Sequence, residues 1–499
     1  MKFVGSIDQG TTSTRFILFD EACQIVASHQ MEHKQIMVKE GWCEHDPMEI
    51  WENTKACIQT TMEKANLMAE DLSAVGITNQ RETTVAWDKT TGKPLCNAIV
   101  WMDMRSHTVC EAVIAKVGGK EKLQEHTGLP IVPYFAGTKM KWLLDNNAAV
   151  KECAEKGNLV FGTIDSWLLF NLSGKQEHIT DVTNASRTLL MDIKSLEWSD
   201  YLCETIGVSK STLPKIVPSS GEMFKIVDPP CLQNVSLSGV LGDQQSALFG
   251  QCCFEPGEAK NTYGTGCFLL MNTGNKAIQS THGLLTTVAY QIAGQEPVYA
   301  LEGSVAIGGA LVQWLRDNLC IIESAPEVEP LANSVPDNGG VYFVPAFSGL
   351  YAPYWKDDAR GVIVGMTRFC NKGHIARATL EAVAYQSADV FQAMEKDSKV
   401  HLKALKVDGG MVVNETLMQF QSDVLSLPVV RPKVAETTAL GAAMIAGIGC
   451  VWKDLDDMKS KWAVDKTWSP EMPEERKKEL FHGWNKAIKR TYGWVDESS

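Results

Sequence analysis

The hydrophobic pattern at the start of the chain predicts two paired strands joined by a polar turn. Apolar runs cover residues 3–7 and 16–19, and Gly10 between them allows a tight turn with positive φ. Such a turn would present backbone N–H groups and side-chain donors to one space, beside the carboxylate of Asp8. This pattern suits a polyphosphate and its metal, although an ordinary polar hairpin tip has the same pattern. The turn residues concerned are Thr11, Thr12, Ser13, Thr14 and Arg15.

A second pattern of strand, turn and strand opens the second half of the chain. Strands are predicted at residues 259–262 and 267–271, and the turn between them contains Gly264, Thr265 and Gly266. Because each turn opens its half, the pair indicates a duplication with two phosphate-binding loops facing each other across a cleft. Two unrelated hairpins are the alternative.

The segment after the first hairpin alternates between helical and strand patterns. Asp46, followed by Pro47 and by Glu49 three residues after the cap, is typical of a helix N-terminus. An apolar strand is predicted at residues 74–78, after that helix. The order of strand, helix and strand predicts an α/β fold with a largely parallel sheet.

Two predicted strand ends carry candidate substrate-binding side chains. The strand at 74–78 leads to Arg81 and Glu82, and strand ends are where open α/β sheets bind ligands. Since neighbours on a regular strand point to opposite faces, the backbone must bend if both contact one ligand; a solvated charge pair is the alternative. The strand at 239–242 ends before Asp243, which suits either a helix N-cap or a base that accepts a hydroxyl proton.

Later segments place glycines beside predicted helix starts. One helix is predicted at residues 304–314, and a strand at 404–407 runs into a double glycine before a helix near residue 414. This allows close backbone approach to a flat ligand such as a nucleoside, but any tight strand-to-helix turn has the same pattern. The residues concerned are Gly309, Gln313, Gly410 and Asn414. A further helix at 436–449, rich in Ala and Gly, is predicted to pack closely where two domains cross.

Composition and charge exclude several function classes. The 499 residues predict two or more domains, and the net charge of −13 argues against general nucleic-acid binding. The longest apolar run, residues 439–452, is rich in glycine and too short to span a bilayer. No secretory signal is predicted, and the 14 cysteines show no zinc-ligand spacing. We therefore expect a cytoplasmic protein with reduced thiols and no membrane span.

Two longer motifs carry a family resemblance. Residues 361–366 and 374–381 follow a spaced pattern of glycines, apolar residues and an acid, and residues 79–84 read Asn-Gln-Arg-Glu-Thr-Thr. With these motifs the chain, from Phe3 to about Trp452, resembles the FGGY carbohydrate kinase family of the actin-like ATPase superfamily, in particular its glycerol kinase branch. The resemblance implies two actin-like (ribonuclease H-like) α/β domains, expected at residues 1–247 and 248–499, which flank a cleft for ATP and substrate.

The resemblance also implies an activity and a set of site residues. It implies phosphoryl transfer from ATP to glycerol, with Asp243 as the base and Mg²⁺ held by Asp8 and Asp243. On the glycerol side it implies contacts from Arg81, Glu82, Tyr134, Asp243, Gln244, Trp101 and Phe268. On the ATP side it implies contacts from Thr11, Thr12, Ser13, Arg15, Thr265, Gly309, Gln313, Gly410 and Asn414. A homo-oligomer, either a dimer or a tetramer, is expected.

Two other activities fit the same fold. A kinase for another small polyol or a ketose would need a larger pocket than one bounded by the aromatic wall of Trp101 and Phe268. An actin-like ATPase without a sugar substrate would share the phosphate-binding loops, but it would have no use for the polar residues of the glycerol side.

One departure from the family pattern predicts a difference in regulation. Bacterial relatives bind fructose 1,6-bisphosphate with a basic loop, whereas residues 231–238 of this chain contain no Arg or Lys. We predict that micromolar fructose 1,6-bisphosphate leaves the activity unchanged at neutral pH, because a bisphosphate needs cationic partners. A titration of the effector into an activity assay measures this, and inhibition in that range would contradict the prediction.

Overall fold

The computed structural model describes residues 2–356 and 358–495. The helices are α1 (Pro47–Ala65), α2 (His107–Val117), α3 (Gln124–Thr127), α4 (Ala136–Asn146), α5 (Ala148–Glu155), α6 (Ile164–Leu172), α7 (Val182–Ala185), α8 (Asp200–Ile206), α9 (Asp243–Gly250), α10 (Gly309–Asp317), α11 (Val328–Ala332), α12 (Lys372–Ser398), α13 (Glu415–Leu425), α14 (Thr437–Gly447), α15 (Leu455–Lys461) and α16 (Glu474–Ile488). The strands are β1 (Phe3–Gln9), β2 (Ser13–Asp20), β3 (Ile25–Glu32), β4 (Glu44–His45), β5 (Leu72–Asn79), β6 (Thr84–Asp88), β7 (Lys93–Pro94), β8 (Ala98–Ile99), β9 (Leu159–Thr163), β10 (Ile179–Asp181), β11 (Met191–Asp192), β12 (Glu197–Trp198), β13 (Lys215–Val217), β14 (Ser220–Lys225), β15 (Ser236–Gly242), β16 (Ala259–Tyr263), β17 (Cys267–Gly274), β18 (Leu285–Tyr290), β19 (Val298–Val305), β20 (Tyr342–Val344), β21 (Val362–Val364), β22 (Leu405–Asp408), β23 (Val429–Pro432) and β24 (Val464–Trp468).

Two large sheets carry the fold, and they share one pattern of strand directions. The first has the order β14-β15-β5-β1-β2-β3 and the second has the order β18-β19-β17-β16-β22-β23-β24. In the first, β3, β2 and β1 are antiparallel neighbours, β1, β5 and β15 are parallel, and β14 is antiparallel at the edge. The strands β19, β17, β16, β22, β23 and β24 repeat these directions in the same order. The predicted hairpins therefore open two topologically equivalent units.

The expectation of a largely parallel first sheet is wrong, because the sheet is mixed. The strands β1, β2 and β3 are joined by short turns, which force antiparallel neighbours, and only the connections that contain helices return a strand in parallel.

Most of the predicted helices are present, with some changes at their ends. Asp46 caps α1, since its Oδ1 accepts the N–H of Met48 at 2.8 Å. Glu49 does not complete a capping box; its carboxylate accepts the N–H of Lys34 instead. The helix predicted from residue 304 begins only at Gly309, because Ser304 pairs with Phe268 within the second sheet.

Helices α9 and α14 cross between the two sheets. Helix α14 packs on β5, β15 and β1 of the first sheet, and α9 contacts β18, β16 and β17 of the second. One apolar cluster spans both sheets and both helices; it includes Phe19, Leu241, Leu248, Phe249, Leu270, Ala300, Leu440 and Met444. The helix pair therefore joins the two sheets, and α9 begins at the end of β15 with Asp243 as its first residue.

The predicted domain boundary at residues 247/248 falls inside α9 and stays a prediction. Within the described parts of the chain, no helix is long and apolar enough to cross a membrane.

The close crossing of α9 and α14 predicts that one added methyl group lowers the stability of the fold. A Cβ on Gly441 would lie 1.9 Å from the carbonyl oxygen of Ser246, and one on Gly250 would lie 2.0 Å from that of Thr437. Gly441→Ala should lower the free energy of unfolding by about 1–3 kcal/mol, because the helices must separate. Gly410→Ala is the control: nothing lies within 4 Å of the added atom, so stability should change by less than about 0.5 kcal/mol. Denaturant unfolding measures both, and equal stabilities of the two variants would contradict this account of the crossing.

Candidate active site

Each of the two hairpin loops is closed by a hydrogen bond from a glycine N–H to a backbone carbonyl of the same loop. In the first loop Gly10 N–H donates to the Ser13 carbonyl at 2.9 Å, and in the second Gly264 N–H donates to the Gly266 carbonyl at 2.9 Å. Thr12 and Thr265 are exposed, so their hydroxyls are available to a ligand. Both loops therefore have the geometry of small polar cradles at sheet ends.

The first loop is braced by an ion pair across the hairpin. Asp8 and Arg15 are cross-strand partners, and Arg15 Nη2 lies 2.6 Å from Asp8 Oδ2. Arg15 Nη1 lies 2.6 Å from Oε2 of Glu436, the residue before α14. The guanidinium thus lies between two carboxylates, and Glu436 belongs to the site although its sequence pattern did not indicate it.

The backbone bends between Arg81 and Glu82, as required if one ligand contacts both side chains. Glu82 has φ of +61°, and Thr83 N–H donates to the Arg81 carbonyl at 2.8 Å, so the chain makes a tight turn after β5. A non-glycine residue in this region is uncommon and marks sites that the surrounding structure holds in place. Both side chains are buried, with Arg81 3% and Glu82 1% exposed. The solvated charge pair that the sequence left open is therefore wrong.

A buried acid from the second sheet holds this turn. Glu302, in the middle of β19, accepts hydrogen bonds from Arg81 Nη1 at 2.6 Å and from Arg81 Nη2 at 2.8 Å. Arg187 donates to the same carboxylate at 3.2 Å through each terminal nitrogen, and its Nε donates to Glu82 Oε1 at 2.6 Å. The sequence contained one signal for Glu302, a single acid within an otherwise largely apolar strand. Arg187 ends the mostly polar segment at residues 180–187, which carries no specific signal.

The charges of this cluster are matched in a water-excluded environment. Burial alone would raise the pKa of Glu302, but Arg187 and Arg81 together lower it to about 2. Burial would likewise lower the pKa of Arg81, but Glu302 and Glu82 raise it well above its usual value. Glu302 and Arg81 are therefore ionised, and each has a buried partner of opposite charge.

Asp243 and Gln244 open α9 beside this cluster. Asp243 is the first helical residue rather than the N-cap, which is Gly242. Its Oδ1 accepts the N–H of Gln244 at 2.7 Å and lies 3.2 Å from Arg81 Nε. Burial chiefly raises the pKa of Asp243, although Arg81 and Lys260 lower it. Both contacts fall on Oδ1, so Oδ2 is the oxygen turned to other partners.

Lys260 is a buried cation that sequence reasoning missed. Its Nζ donates to Gln244 Oε1, to Thr262 Oγ1 at 2.9 Å and to the Phe268 carbonyl at 3.2 Å. Because the lysine occupies the oxygen of the Gln244 amide, the amide nitrogen is left to act as a donor. Burial lowers the pKa of Lys260 to about 8.

Trp101 and Tyr134 form one aromatic wall. Trp101 and Tyr134 meet edge to face with ring centroids 5.6 Å apart, and the Trp101 indole N–H donates to Thr11 Oγ1 at 3.0 Å. Lys139, fully buried, donates to the Pro133 carbonyl at 2.7 Å and to the Tyr134 carbonyl, which fixes the start of α4. Phe268 is half-buried on β17. The wall is thus tied directly to the first hairpin loop.

The predicted nucleotide residues lie around the second loop. The start of α10 docks on it, since Gly309 N–H donates to the Gly264 carbonyl at 2.8 Å and Ala310 N–H donates to the Thr265 carbonyl at 3.0 Å. Gln313 is exposed one turn further along α10. Asn414 caps α13 by accepting the N–H of Leu417 at 2.8 Å. Gly410 has open space around it.

The site contains carboxylates that fit a magnesium ion bound together with phosphate oxygens. Burial raises the pKa of Asp8, Arg15 lowers it, and the nearby charges of Glu436 and Asp243 raise it further. A dication beside such carboxylates would favour their ionised forms. Within the described residues no group of three or more His, Cys, Asp and Glu side chains is placed to hold a metal by itself. Mg²⁺ commonly takes one or two carboxylates and completes its shell with water and phosphate, so the donor set fits.

The two mixed sheets and the crossed helices that join them define a two-domain α/β carbohydrate kinase fold. Residues 3–250 match the FGGY family of carbohydrate kinases, N-terminal domain, and residues 259–450 match the C-terminal domain of that family. The chain belongs to the FGGY family of carbohydrate kinases.

Within that family the comparisons favour one branch. The chain is 57% identical to a glycerol kinase of Acidiphilium cryptum over 99% of this chain and 100% of the relative. It is 57% identical to a glycerol kinase of Brucella anthropi with the same coverage. A crystal structure of Plasmodium falciparum glycerol kinase with ADP is 40% identical, covers 98% of each chain and superimposes with a TM-score of 0.93. A xylulose kinase from Lactobacillus acidophilus, 22% identical with a TM-score of 0.87, shares the fold.

Proposed function

We propose that the protein phosphorylates glycerol with ATP to give sn-glycerol 3-phosphate. The observation that carries the proposal is the cluster of Arg81, Glu82 and Asp243, which the bend after β5 and the start of α9 bring to one point. The full-length similarity to glycerol kinases supports the same activity.

Glycerol recognition requires a fixed partner for each of three hydroxyls. We assign the hydrogen bonds to Arg81, Glu82, Tyr134, Asp243 and Gln244, and the contacts with the carbon chain to Trp101 and Phe268. A site built this way discriminates strongly, because an analogue that lacks one hydroxyl leaves a buried polar group unpaired. Burial of the Tyr134 hydroxyl raises its pKa, so it stays a neutral donor at physiological pH.

Asp243 is the proposed base. Its Oδ2 would accept the proton of the attacking hydroxyl while Oδ1 stays bonded to the Gln244 N–H. Burial raises the pKa of this carboxyl, which makes it a better proton acceptor than an exposed aspartate. Phosphoryl transfer otherwise depends on alignment and on stabilising charge on the transferred group.

The proposed ATP contacts come from both loops. Thr11, Thr12, Ser13 and Arg15 on one side and Thr265 on the other would bind the phosphates, and Gly309, Gln313, Gly410 and Asn414 would line the nucleoside pocket. Asp8 and Asp243 would hold Mg²⁺. When bound, the ion would neutralise charge on the phosphate oxygens. Arg15, anchored by Asp8 and Glu436, keeps a cation at the loop.

We also propose that the protein is a cytoplasmic homo-oligomer, a dimer or tetramer, with its domain boundary near residues 247/248. The resemblance to the family supports the assembly, and the equivalent topologies of the two sheets support the division. Light scattering of the purified protein measures the assembly, and a monomer at micromolar concentration would contradict it.

The activity is tested with purified protein, ATP, Mg²⁺ and a panel of polyols and ketoses in an assay that detects ADP. We expect glycerol to be the best substrate by kcat/KM, and chelation of Mg²⁺ to abolish turnover. ADP release that is independent of any polyol would instead indicate an ATPase. A ketose or a larger polyol as the best substrate would contradict the assignment of glycerol.

The base is tested by Asp243→Asn. We expect kcat to fall by about 10²–10⁴-fold, because the amide cannot accept the proton. ATP affinity should stay nearly intact, because Asp8 and the phosphate oxygens would still hold Mg²⁺. Asp165→Asn is the matched control: Asp165 is fully buried on α6 and accepts hydrogen bonds from Thr163 and Thr180 outside the site. Steady-state kinetics and equilibrium nucleotide binding measure both variants. Near-normal turnover of Asp243→Asn would remove Asp243 from the role of base.

A further inference from the structure

Glu302 reaches the substrate side of the cleft from the opposite sheet. It lies in β19 of the second sheet, whereas Arg81 follows β5 of the first sheet and Arg187 follows α7. The Glu302 and Arg187 side chains are 0% exposed and that of Arg81 is 2% exposed. The contact therefore joins the two halves of the protein in a region that water does not reach.

The carboxylate of Glu302 is fully used by the two arginines. Each guanidinium donates to both of its oxygens, at 2.6 and 2.8 Å from Arg81 and at 3.2 Å twice from Arg187. An ionised carboxylate offers about four lone-pair sites, so these four hydrogen bonds saturate it. Glu302 therefore has no acceptor left for a substrate hydroxyl, and any effect on substrate must pass through the arginines.

The same contact determines where the remaining edge of each guanidinium faces. With the terminal nitrogens on Glu302, Arg81 Nε lies 3.2 Å from Asp243 Oδ1 and Arg187 Nε donates to Glu82 Oε1 at 2.6 Å. A guanidinium is planar, so binding two of its nitrogens fixes the direction of the third. One acid thus orients the cation beside each of two carboxylates of the candidate glycerol site.

We propose that Glu302 is a positioning residue for glycerol recognition: it clamps Arg81 and Arg187 so that Asp243 and Glu82 are held in place for the substrate. This inference rests on the proposed function. A residue that only stabilises the fold would have a different signature, because loss of a buried ion pair would weaken the whole cleft rather than one substrate.

The test is Glu302→Gln, which keeps the size of the side chain but removes its charge and replaces one acceptor by a donor facing the arginines. We expect the KM for glycerol to rise by at least about tenfold, because the lost hydrogen bonds involve charged groups, while the KM for ATP changes by less than about twofold. Calorimetric titration of glycerol without nucleotide should show the same loss of affinity. Glu381→Gln is the matched control: Glu381 is a buried acid on α12 that bonds Arg377 Nε at 3.0 Å. Its glycerol KM should match that of the wild type.

Glu302→Asp keeps the charge and withdraws the carboxylate by one methylene, so it covers the case in which Glu302→Gln does not fold. We expect a folded protein whose glycerol KM rises several-fold with the ATP KM unchanged. Combining the glutamine variant with Glu82→Gln should give less than additive losses, since both act through Arg187. A wild-type glycerol KM in either Glu302 variant, or equal losses for glycerol and ATP, would overturn the proposal. If the wild-type protein neither binds nor phosphorylates glycerol, the proposed function itself is contradicted, whatever the Glu302 variants show.

Discussion

The close crossing of α9 and α14 is the constraint on which the rest of the site depends. The backbones of the two helices touch directly at this crossing. Glycines occupy the contact points, because a Cβ there would collide with the backbone of the other helix. Both helix starts carry an acid of the candidate site. Asp243 opens α9, and Glu436 precedes α14 and binds Arg15 of the first loop. A single packing contact thus sets the separation between Asp243 and the first hairpin loop.

Around this crossing the protein uses paired charges where a protein interior would ordinarily be apolar. Arg81, Arg187 and Lys260 are buried cations in a chain whose net charge is −13. Each is held by acids or amide oxygens from more than one element, which offsets the cost of removing it from water. The net charge of the chain therefore says little about the local electrostatic field at the candidate site. There, anionic and hydroxylated ligands would meet an ordered set of hydrogen-bond donors and acceptors.

Equivalent topology in the two halves explains how one cleft can hold two substrates. Each half begins with a hairpin whose loop is closed by a hydrogen bond from a glycine N–H to a backbone carbonyl, and each continues with two parallel strands. The halves then diverge. The first adds the turn at Glu82 and the aromatic wall, whereas the second docks α10 on its loop and opens beside Gly410. The shared loops face the phosphates in our proposal, and the differing parts separate a small polyol from a nucleoside.

The features that follow from the amino-acid sequence alone are local. The hairpins at residues 3–20 and 259–274, the cap of α1 and the strand ends before Arg81 and Asp243 follow from turn residues and hydrophobic periodicity, which act over a few positions. The strand directions and the partners of the charged residues were decided by the tertiary structure. Arg81 and Glu302 are 221 positions apart, and Arg15 and Glu436 are 421 apart. No short-range pattern records such pairs, because they exist only once two sheets and two crossed helices have brought distant strand ends to one cleft.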